Sequence, residues 1–241
     1  MRPHRSPIPY GIMGGWPPAR RHDIPPRPVS EAPLARYVEL HCHSAFSLHE
    51  GTSRPEELVA TAVARGYQAL ALTDHDSLAG AMLFAQAGKE FELQAIIGAE
   101  ITLESGAHLT LLSETPRGYA NLSRLLSRAN LSSPRGEPRV HWNWLPEFAE
   151  GLIALSGCRR GEVAALAEHG DVRDAIEVAA RYRDIFGLQS YFIELQDNLI
   201  YEDQSRNEAL VAVAAELGLG IVGTNNVHSV SYTHLTLPTK A

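Results

Sequence analysis

From residue 37 onward, short aliphatic runs alternate with longer stretches in which apolar residues recur at helical spacing. The runs typical of strands lie at 37–40, 69–73, 95–98, 152–155, 191–195 and 220–223. The helical stretches lie at 55–65, 78–90, 119–129, 161–168, 172–186 and 204–217. This alternation predicts parallel strands joined by helical crossovers. About seven such steps favour an α/β barrel.

Two local features sharpen this prediction. The helix at 55–65 has clear boundary signals, with Ser53 as a candidate N-cap, Pro55 near the first turn and Gly66 as a stop. Residues 101–103 and 108–112 flank a turn containing Gly106 and predict a β-hairpin.

Both ends of the chain differ from the middle. Residues 1–36 contain nine of the 15 prolines without strand or helix periodicity, which predicts a proline- and arginine-rich arm. Residues 230–241 fit no preceding pattern and look like a translated sequencing adapter, so we expect an artefactual tail and exclude His234 from the site. The predicted domain is therefore 37–229, in a truncated reading frame.

The composition narrows the function classes. The 241 residues are 44% hydrophobic and contain no apolar run of about 18 residues, so we expect no membrane span. Two cysteines and the lack of a signal-like segment predict a cytoplasmic protein without a disulfide framework. The net charge is −7, and residues 1–36 carry six arginines against two acidic residues, which leaves −11 for the remainder. An acidic body favours a cation site over a stand-alone nucleic-acid clamp.

Metal-capable side chains come directly after most of the predicted strands. In chain order they are His41, His43, Asp74, His75, Glu100, Cys158 and His228. Because the carboxyl ends of barrel strands meet on one face, we expect these residues to form one site. His108 begins its strand, so its place stays open. Imidazole, carboxylate and thiolate ligands favour Zn²⁺, Mn²⁺ or Fe²⁺, and this many ligands imply more than one ion.

Each residue also has a simpler interpretation. Asp74 or Asp76 could cap the next helix, which leaves His75 as the stronger ligand and Asp74 as its support. Glu100 alone could be a solvated strand end, and Cys158 alone a small buried apolar residue. The joint placement of all these residues favours a site. His141 and His169 lie among surface-like residues and are not expected to bind metal.

Seven segments resemble one known family in order and spacing. They are HCHSAFSLHEG at 41–51, ALTDHD at 71–76, GAE at 98–100, HLTLL at 108–112, GYANLSRLLSRA at 118–129, GLIALSGC at 151–158 and TNNVH at 224–228. Over residues 37–228 they are similar to the N-terminal polymerase-and-histidinol-phosphatase (PHP) domain of bacterial C-family DNA polymerases. The stretch NLSSPRGEPRV at 130–140 and the lead-in with Gly15 and Trp16 resemble the error-prone branch of that family.

The resemblance implies a distorted seven-stranded (β/α) barrel that binds up to three divalent ions, Zn or Mn. The ligands it implies are His41, His43, Glu50, His75, Glu100, His108, Cys158 and His228. Two positions depart from the family pattern. Glu50 stands where Asp is usual, with His49 beside it as a substitute, and Asn226 stands where a metal-binding Asp is usual. Because an amide is a poorer ligand than a carboxylate, we expect weak hydrolysis at most.

The resemblance also implies a function for a longer parent protein. The parent would add deoxynucleotides to a primer in DNA repair or translesion synthesis, with palm-domain carboxylates and DNA contacts that lie outside these 241 residues. Its partners would be DNA, its own polymerase core and other repair or replication subunits. Two alternatives remain: a stand-alone metal-dependent phosphoesterase resembling histidinol phosphatase, and a non-catalytic scaffold braced by metals.

Overall fold

The computed structural model describes residues 37–48, 50–199 and 202–230. The predicted arm at 1–36, His49 and residues 231–241 of the predicted tail lie outside the described residues. Within the described part, six strands alternate with seven α-helices, so the predicted α/β class is confirmed. None of these helices is long and apolar enough to cross a membrane.

The elements follow the predicted order along the chain. The strands are β1 (Ala69–Leu72), β2 (Gln94–Thr102), β3 (His108–Ser113), β4 (Leu152–Leu155), β5 (Tyr191–Gln196) and β6 (Gly220–Thr224). The helices are α1 (Pro55–Ala64), α2 (Ala81–Glu90), α3 (Pro116–Ser132), α4 (Leu145–Phe148), α5 (Glu162–His169), α6 (Val172–Phe186) and α7 (Asp203–Leu217). A 3₁₀ turn, Trp142–Trp144, precedes α4.

The strands form one sheet in sequence order, from β1 to β6. β3 runs antiparallel to both of its neighbours, whereas the other pairs are parallel. β2 and β3 make the predicted hairpin, with Glu100 opposite Thr110 and Thr102 opposite His108. Because β3 is reversed, its first residue lies at the edge where the parallel strands end. This topology places His108 beside the residues that follow the other strands.

The expectation of seven strands is not met within the described residues, which contain six. The predicted strand at 37–40 instead makes one isolated parallel bridge, Glu39 with Leu70, and Cys42 just after it makes another with Val227. The Glu39 carboxylate accepts hydrogen bonds from the backbone N–H of His41 (3.0 Å) and of Asn225 (3.1 Å). This side chain takes up backbone donors that a continuous ladder would use, so the segment contacts both sheet ends without becoming a regular strand.

Three predicted boundaries are corrected. Ser53 does not cap α1, because Arg54 occupies the N-cap position and the Ser53 hydroxyl accepts from the N–H of Val230. The stretches predicted at 95–98 and 101–103 are not separate, because β2 runs without a break from Gln94 to Thr102. The helix predicted at 119–129 begins at Pro116, because the Thr115 hydroxyl caps it by accepting from the Gly118 N–H at 3.1 Å.

Two apolar clusters stabilise the fold. The larger packs α3, α5, α6 and α7 against the sheet, with Leu122, Leu125 and Ile101 fully buried. The smaller packs α1 and α2 against β1 around Phe84. Truncating one such leucine to alanine costs about 2–5 kcal/mol in buried cores. These clusters hold the strands in place. The polar residues that follow the strand ends lie outside both clusters.

Candidate metal centre

Glu100 lies at the centre of a cluster of four imidazoles. Its carboxylate is 3.0 Å from Nε2 of His75 and 3.0 Å from Nδ1 of His108. Nε2 of His41 and Nε2 of His43 each lie 3.4 Å from it. The Glu100 side chain is 1% exposed, so water does not satisfy this carboxylate. One buried anion therefore brings together imidazoles from three separate segments of the chain.

The sheet explains why these residues meet. The Glu100 N–H donates to the carbonyls of Thr73 and Asp74 at the end of β1, and Glu100 forms a parallel bridge with His75. His108 faces the same edge because β3 is antiparallel. His41 and His43 are two residues apart in an extended segment, so both rings point to the same side.

Asp74 supports the loop that leads to the cluster. Its carboxylate accepts from the N–H of Ser44 at 2.6 Å, from the Ser44 hydroxyl at 2.8 Å and from the Ser47 hydroxyl at 2.8 Å. The Ser47 hydroxyl in turn lies 3.3 Å from Nδ1 of His43. Neither Asp74 nor Asp76 caps α2, whose N-cap is Gly80. Asp76 accepts instead from the N–H and hydroxyl of Thr102.

Two groups of side chains in the described chain have the geometry to hold a metal ion. In each group the ligand atoms lie within 4.8 Å of one another. The groups are His41 with His43 and Glu100, and His75 with Glu100 and His108. Nε2 of His41 is buried and has no hydrogen-bond partner among the described residues. A buried nitrogen left without a partner fits a ligand position, and these donors suit Zn²⁺ or Mn²⁺.

The other predicted ligands border this cluster. Sγ of Cys158 lies 3.1 Å from Glu100 and 3.7 Å from Nδ1 of His108. The Glu50 carboxylate contacts His75. The ring of His228 stacks on His43 with centroids 4.6 Å apart, and Oδ1 of Asn226 lies 3.0 Å from Nε2 of His43. His49 lies outside the described residues.

The two histidines set aside on sequence grounds lie elsewhere. His141 contacts Glu104 with both side chains about half exposed. His169 lies near the end of α5, where its Nδ1 is 2.7 Å from the carbonyl oxygen of Ala165 in the preceding turn. Neither residue belongs to the groups that could hold a metal among the described residues.

Burial shifts pKa values in this cluster, and nearby charges either add to its effect or outweigh it. Burial lowers the pKa of His43 well below its usual range, and the charge of His41 adds to that effect. Burial also lowers the pKa of His41, but the carboxylates of Glu194 and Glu100 outweigh it and hold the pKa well above its usual range. Burial raises the pKa of the Cys158 thiol, as does the nearby Glu100 charge. The protein alone thus concentrates carboxylates and imidazoles in a buried volume that a cation would stabilise.

Sequence reasoning missed Glu194, a fully buried carboxylate on β5. Its Oε1 lies 2.7 Å from Nδ1 of His41. The available signal was a charged residue inside the apolar run YFIELQ at 191–196, since an ionised side chain in a buried strand requires a partner. It was overlooked because it lies inside its strand, whereas the predicted ligands follow theirs.

A cavity of about 530 Å³ adjoins the cluster. It begins at Glu50, Asn226 and His228 and extends along α1 to Arg65 and Tyr67. Its walls combine these polar groups with apolar side chains of α1 and β1. The cavity therefore reaches the residues that border the cluster on this side.

The fold and the cluster define an α/β domain with a histidine- and carboxylate-lined edge suited to divalent cations. The sequence profile of the PHP domain matches residues 39–198, which is more than half of the chain. The chain belongs to the PHP domain family.

Sequence relatives of this chain are named DNA polymerases, and a solved structure shares its fold. The chain is 42% identical over 208 residues to the error-prone DNA polymerase of Symbiobacterium thermophilum, covering 80% of this chain and 19% of that protein. It is 38% identical over 206 residues to the DNA polymerase III subunit alpha of Treponema pallidum, covering 80% and 18%. The chain thus spans about a fifth of the length of these relatives. An amidohydrolase structure from Chromobacterium violaceum has a TM-score of 0.57 at 16% identity, covering 81% of this chain and 88% of that one, which shows a shared fold.

Proposed function

We propose that this chain is the amino-terminal metal-binding PHP domain of an error-prone DNA polymerase. The observation that carries the proposal is 42% identity to a polymerase of that name over 208 residues. The parent would perform template-directed nucleotidyl transfer in DNA repair or translesion synthesis in the cytoplasm. Its polymerase core and other domains would contact DNA, since the acidic body of this chain is poorly suited to that task.

The proposed domain comprises residues 37–229, with the irregular segment at 39–43 in the place of a seventh strand. Two contacts support this closure. The N–H of Ala71 in β1 donates to the Glu39 carbonyl at 2.9 Å, and the N–H of His43 donates to the Val227 carbonyl at 2.7 Å beyond β6. The segment therefore bonds to both ends of the six-stranded sheet.

The proposed ligands share one edge of the sheet, and up to three Zn or Mn ions would bind there. They are His41, His43, Glu50, His75, Glu100, His108, Cys158 and His228. The support is geometric, because both groups of closely spaced ligand atoms include Glu100. Divalent ions would supply Lewis-acid stabilisation of phosphoester oxygens. The Ser44–Ser47 loop, which Asp74 holds, supports the His43 imidazole from one side.

Asn226 favours a site with weak hydrolytic activity. Its Oδ1 lies 3.0 Å from Nε2 of His43, so the amide faces a proposed ligand where the family usually has a carboxylate. An amide offers a dipole instead of a full charge, and it offsets the repulsion between neighbouring cations less well. We therefore propose that the metals mainly brace the domain against its polymerase core.

One observation favours a second candidate, a metal-dependent phosphoesterase. The 530 Å³ cavity opens at Glu50, Asn226 and His228 and has room for a small phosphoester. Arg65 lies in the same cavity and supplies a cation for an anionic ligand. This arrangement would suit hydrolysis of a small substrate if the cluster retained full metal occupancy.

Hydrolysis of p-nitrophenyl phosphate and of a labelled single DNA strand, with Mn²⁺ or Zn²⁺, separates these functions. We expect little or no turnover by the native chain. Robust turnover that His75→Ala abolishes, and that His169→Ala leaves intact, would favour the phosphoesterase. Reading the gene downstream of the His228 codon gives an independent answer. A continuation of polymerase length with paired Asp motifs supports the polymerase, whereas an early stop contradicts it.

A further inference from the structure

Glu194 is a buried carboxylate that contacts the candidate metal centre from behind. Its side chain is 0% exposed. Glu194 lies on β5, where it pairs with Val222 of β6. The backbone N–H of Glu194 donates to the Ser156 hydroxyl at 2.9 Å, which fixes the strand at this point. The position of the carboxylate is therefore set by sheet register.

Three groups converge on a single oxygen of this carboxylate. Oε1 accepts from the Thr224 hydroxyl at 2.5 Å and from Nε2 of Gln196 at 2.8 Å, and it lies 2.7 Å from Nδ1 of His41. Gln196 shares the face of Glu194 because it is two residues further along β5, and Thr224 is its register partner on β6. These neutral donors hold the carboxylate in one orientation, aimed at the His41 ring.

The contact determines which nitrogen of His41 faces the cluster. An ionised carboxylate only accepts hydrogen bonds, so Nδ1 of His41 must carry a proton to bond to it. A cation that takes the place of the second ring proton would then meet the lone pair of the other nitrogen. That nitrogen, Nε2, is buried, has no hydrogen-bond partner among the described residues, and lies 3.4 Å from Glu100.

We propose that Glu194 is a positioning residue that holds the Nδ1 proton of His41 and thereby presents the Nε2 lone pair to a divalent cation. The inference rests on the proposed metal-binding function and adds a residue outside the proposed ligand set. Carboxylates that bond to a ligating histidine fix its tautomer and orientation, and losing one costs about 10–100-fold in metal affinity.

Zn²⁺ affinity of the full chain, measured by competition with a chromophoric chelator, provides the first test. We expect Glu194→Gln to weaken the site that contains His41 by about 10–100-fold. Glu162→Gln is the matched control, because Glu162 accepts from the side chains of Ser105, Trp142 and Tyr182 without touching an imidazole. The control should bind Zn²⁺ within about twofold of the native chain.

A double-mutant cycle shows whether Glu194 acts through His41. If it does, His41→Ala with Glu194→Gln binds Zn²⁺ no more weakly than His41→Ala alone, to within about twofold. Losses that multiply in the double variant would show that Glu194 acts independently of His41 and would overturn the proposal.

The histidine tautomer gives a readout that does not depend on the variants folding alike. Long-range ¹H–¹⁵N spectra of the Zn²⁺-loaded native chain should show His41 protonated at Nδ1, with the signal assigned by its absence in His41→Ala. A proton on Nε2 would overturn the proposal. If the native chain binds no Zn²⁺, both this inference and the metal-binding function fail. Native binding with unchanged affinity in Glu194→Gln overturns this inference alone.

Discussion

We expect Glu100→Gln to weaken metal binding at both groups of ligand atoms and so to remove the stability that bound ions give the fold. Glu100 contributes to both groups of ligand atoms, and its carboxylate contacts four imidazoles. The ligands converge only in the folded chain, so ions that bind there stabilise the folded state by mass action. Replacing the shared carboxylate with an amide removes the negative charge from both groups at once.

The expected size follows from linkage. One ion at a free concentration 100 times its dissociation constant adds about 2.7 kcal/mol to the free energy of unfolding. For a domain of 150–250 residues, each kcal/mol shifts Tm by roughly 2–4 °C. The native chain should therefore melt about 5–11 °C higher with one saturating ion than in EDTA. Glu100→Gln should lose most of that difference, whatever its melting temperature in EDTA.

Differential scanning calorimetry with Zn²⁺, Mn²⁺ or EDTA measures the difference for each variant. His141→Ala is the control, because His141 pairs with Glu104 at the surface, away from the cluster. It should keep the full metal-dependent shift. A native chain whose Tm is the same in Zn²⁺, Mn²⁺ and EDTA would refute the reasoning. So would a Glu100→Gln variant that keeps the native shift.

Three further predictions concern single positions. Asn226 has a φ of 50°, which Asp also tolerates, so Asn226→Asp should fold normally and raise the metal content per chain measured by elemental analysis. Gly118→Ala would place a Cβ atom 1.8 Å from the Gly151 carbonyl oxygen. This clash should lower the free energy of unfolding, measured in urea, by about 1–3 kcal/mol. The hydrogen bond from Arg159 lowers the pKa of Glu168 in the folded chain. The ionised Glu168 therefore stabilises the fold above its unfolded pKa, and this contribution is lost as the pH falls through the lower folded pKa. Glu168→Gln should reduce the acid-dependent loss of unfolding free energy.

Each of these has a matched comparison. Glu50→Asp combined with Asn226→Asp tests whether the longer Glu50 side chain limits any gain, and unchanged metal content in both variants would contradict the role given to Asn226. Gly223→Ala meets open space and should leave stability nearly unchanged. Glu177→Gln removes an exposed carboxylate and should leave the loss of unfolding free energy at low pH unchanged.

Periodicity and spacing predicted much of this structure. The alternating runs located five of the six described strands to within a few residues, and the predicted hairpin located β3, because buried strands and amphipathic helices require apolar side chains at fixed intervals. Placing His75 and Cys158 just after strands was enough to predict that they approach one another, since parallel strands end at one edge. What periodicity could not detect was the behaviour of residues 37–40, where the Glu39 side chain replaces ladder hydrogen bonds.

Local patterns in the chain specified the α/β class, the order of the elements and the residue types available to a cation. Which of these residues meet depends on how the sheet packs. His108 joined the cluster because β3 is reversed, Asp74 turned to the Ser44–Ser47 loop, and Glu194 came within 2.7 Å of His41 across 153 positions of sequence. Such contacts depend on strand register and on which strands become neighbours, which arise from packing the whole sheet and leave no local pattern in the chain.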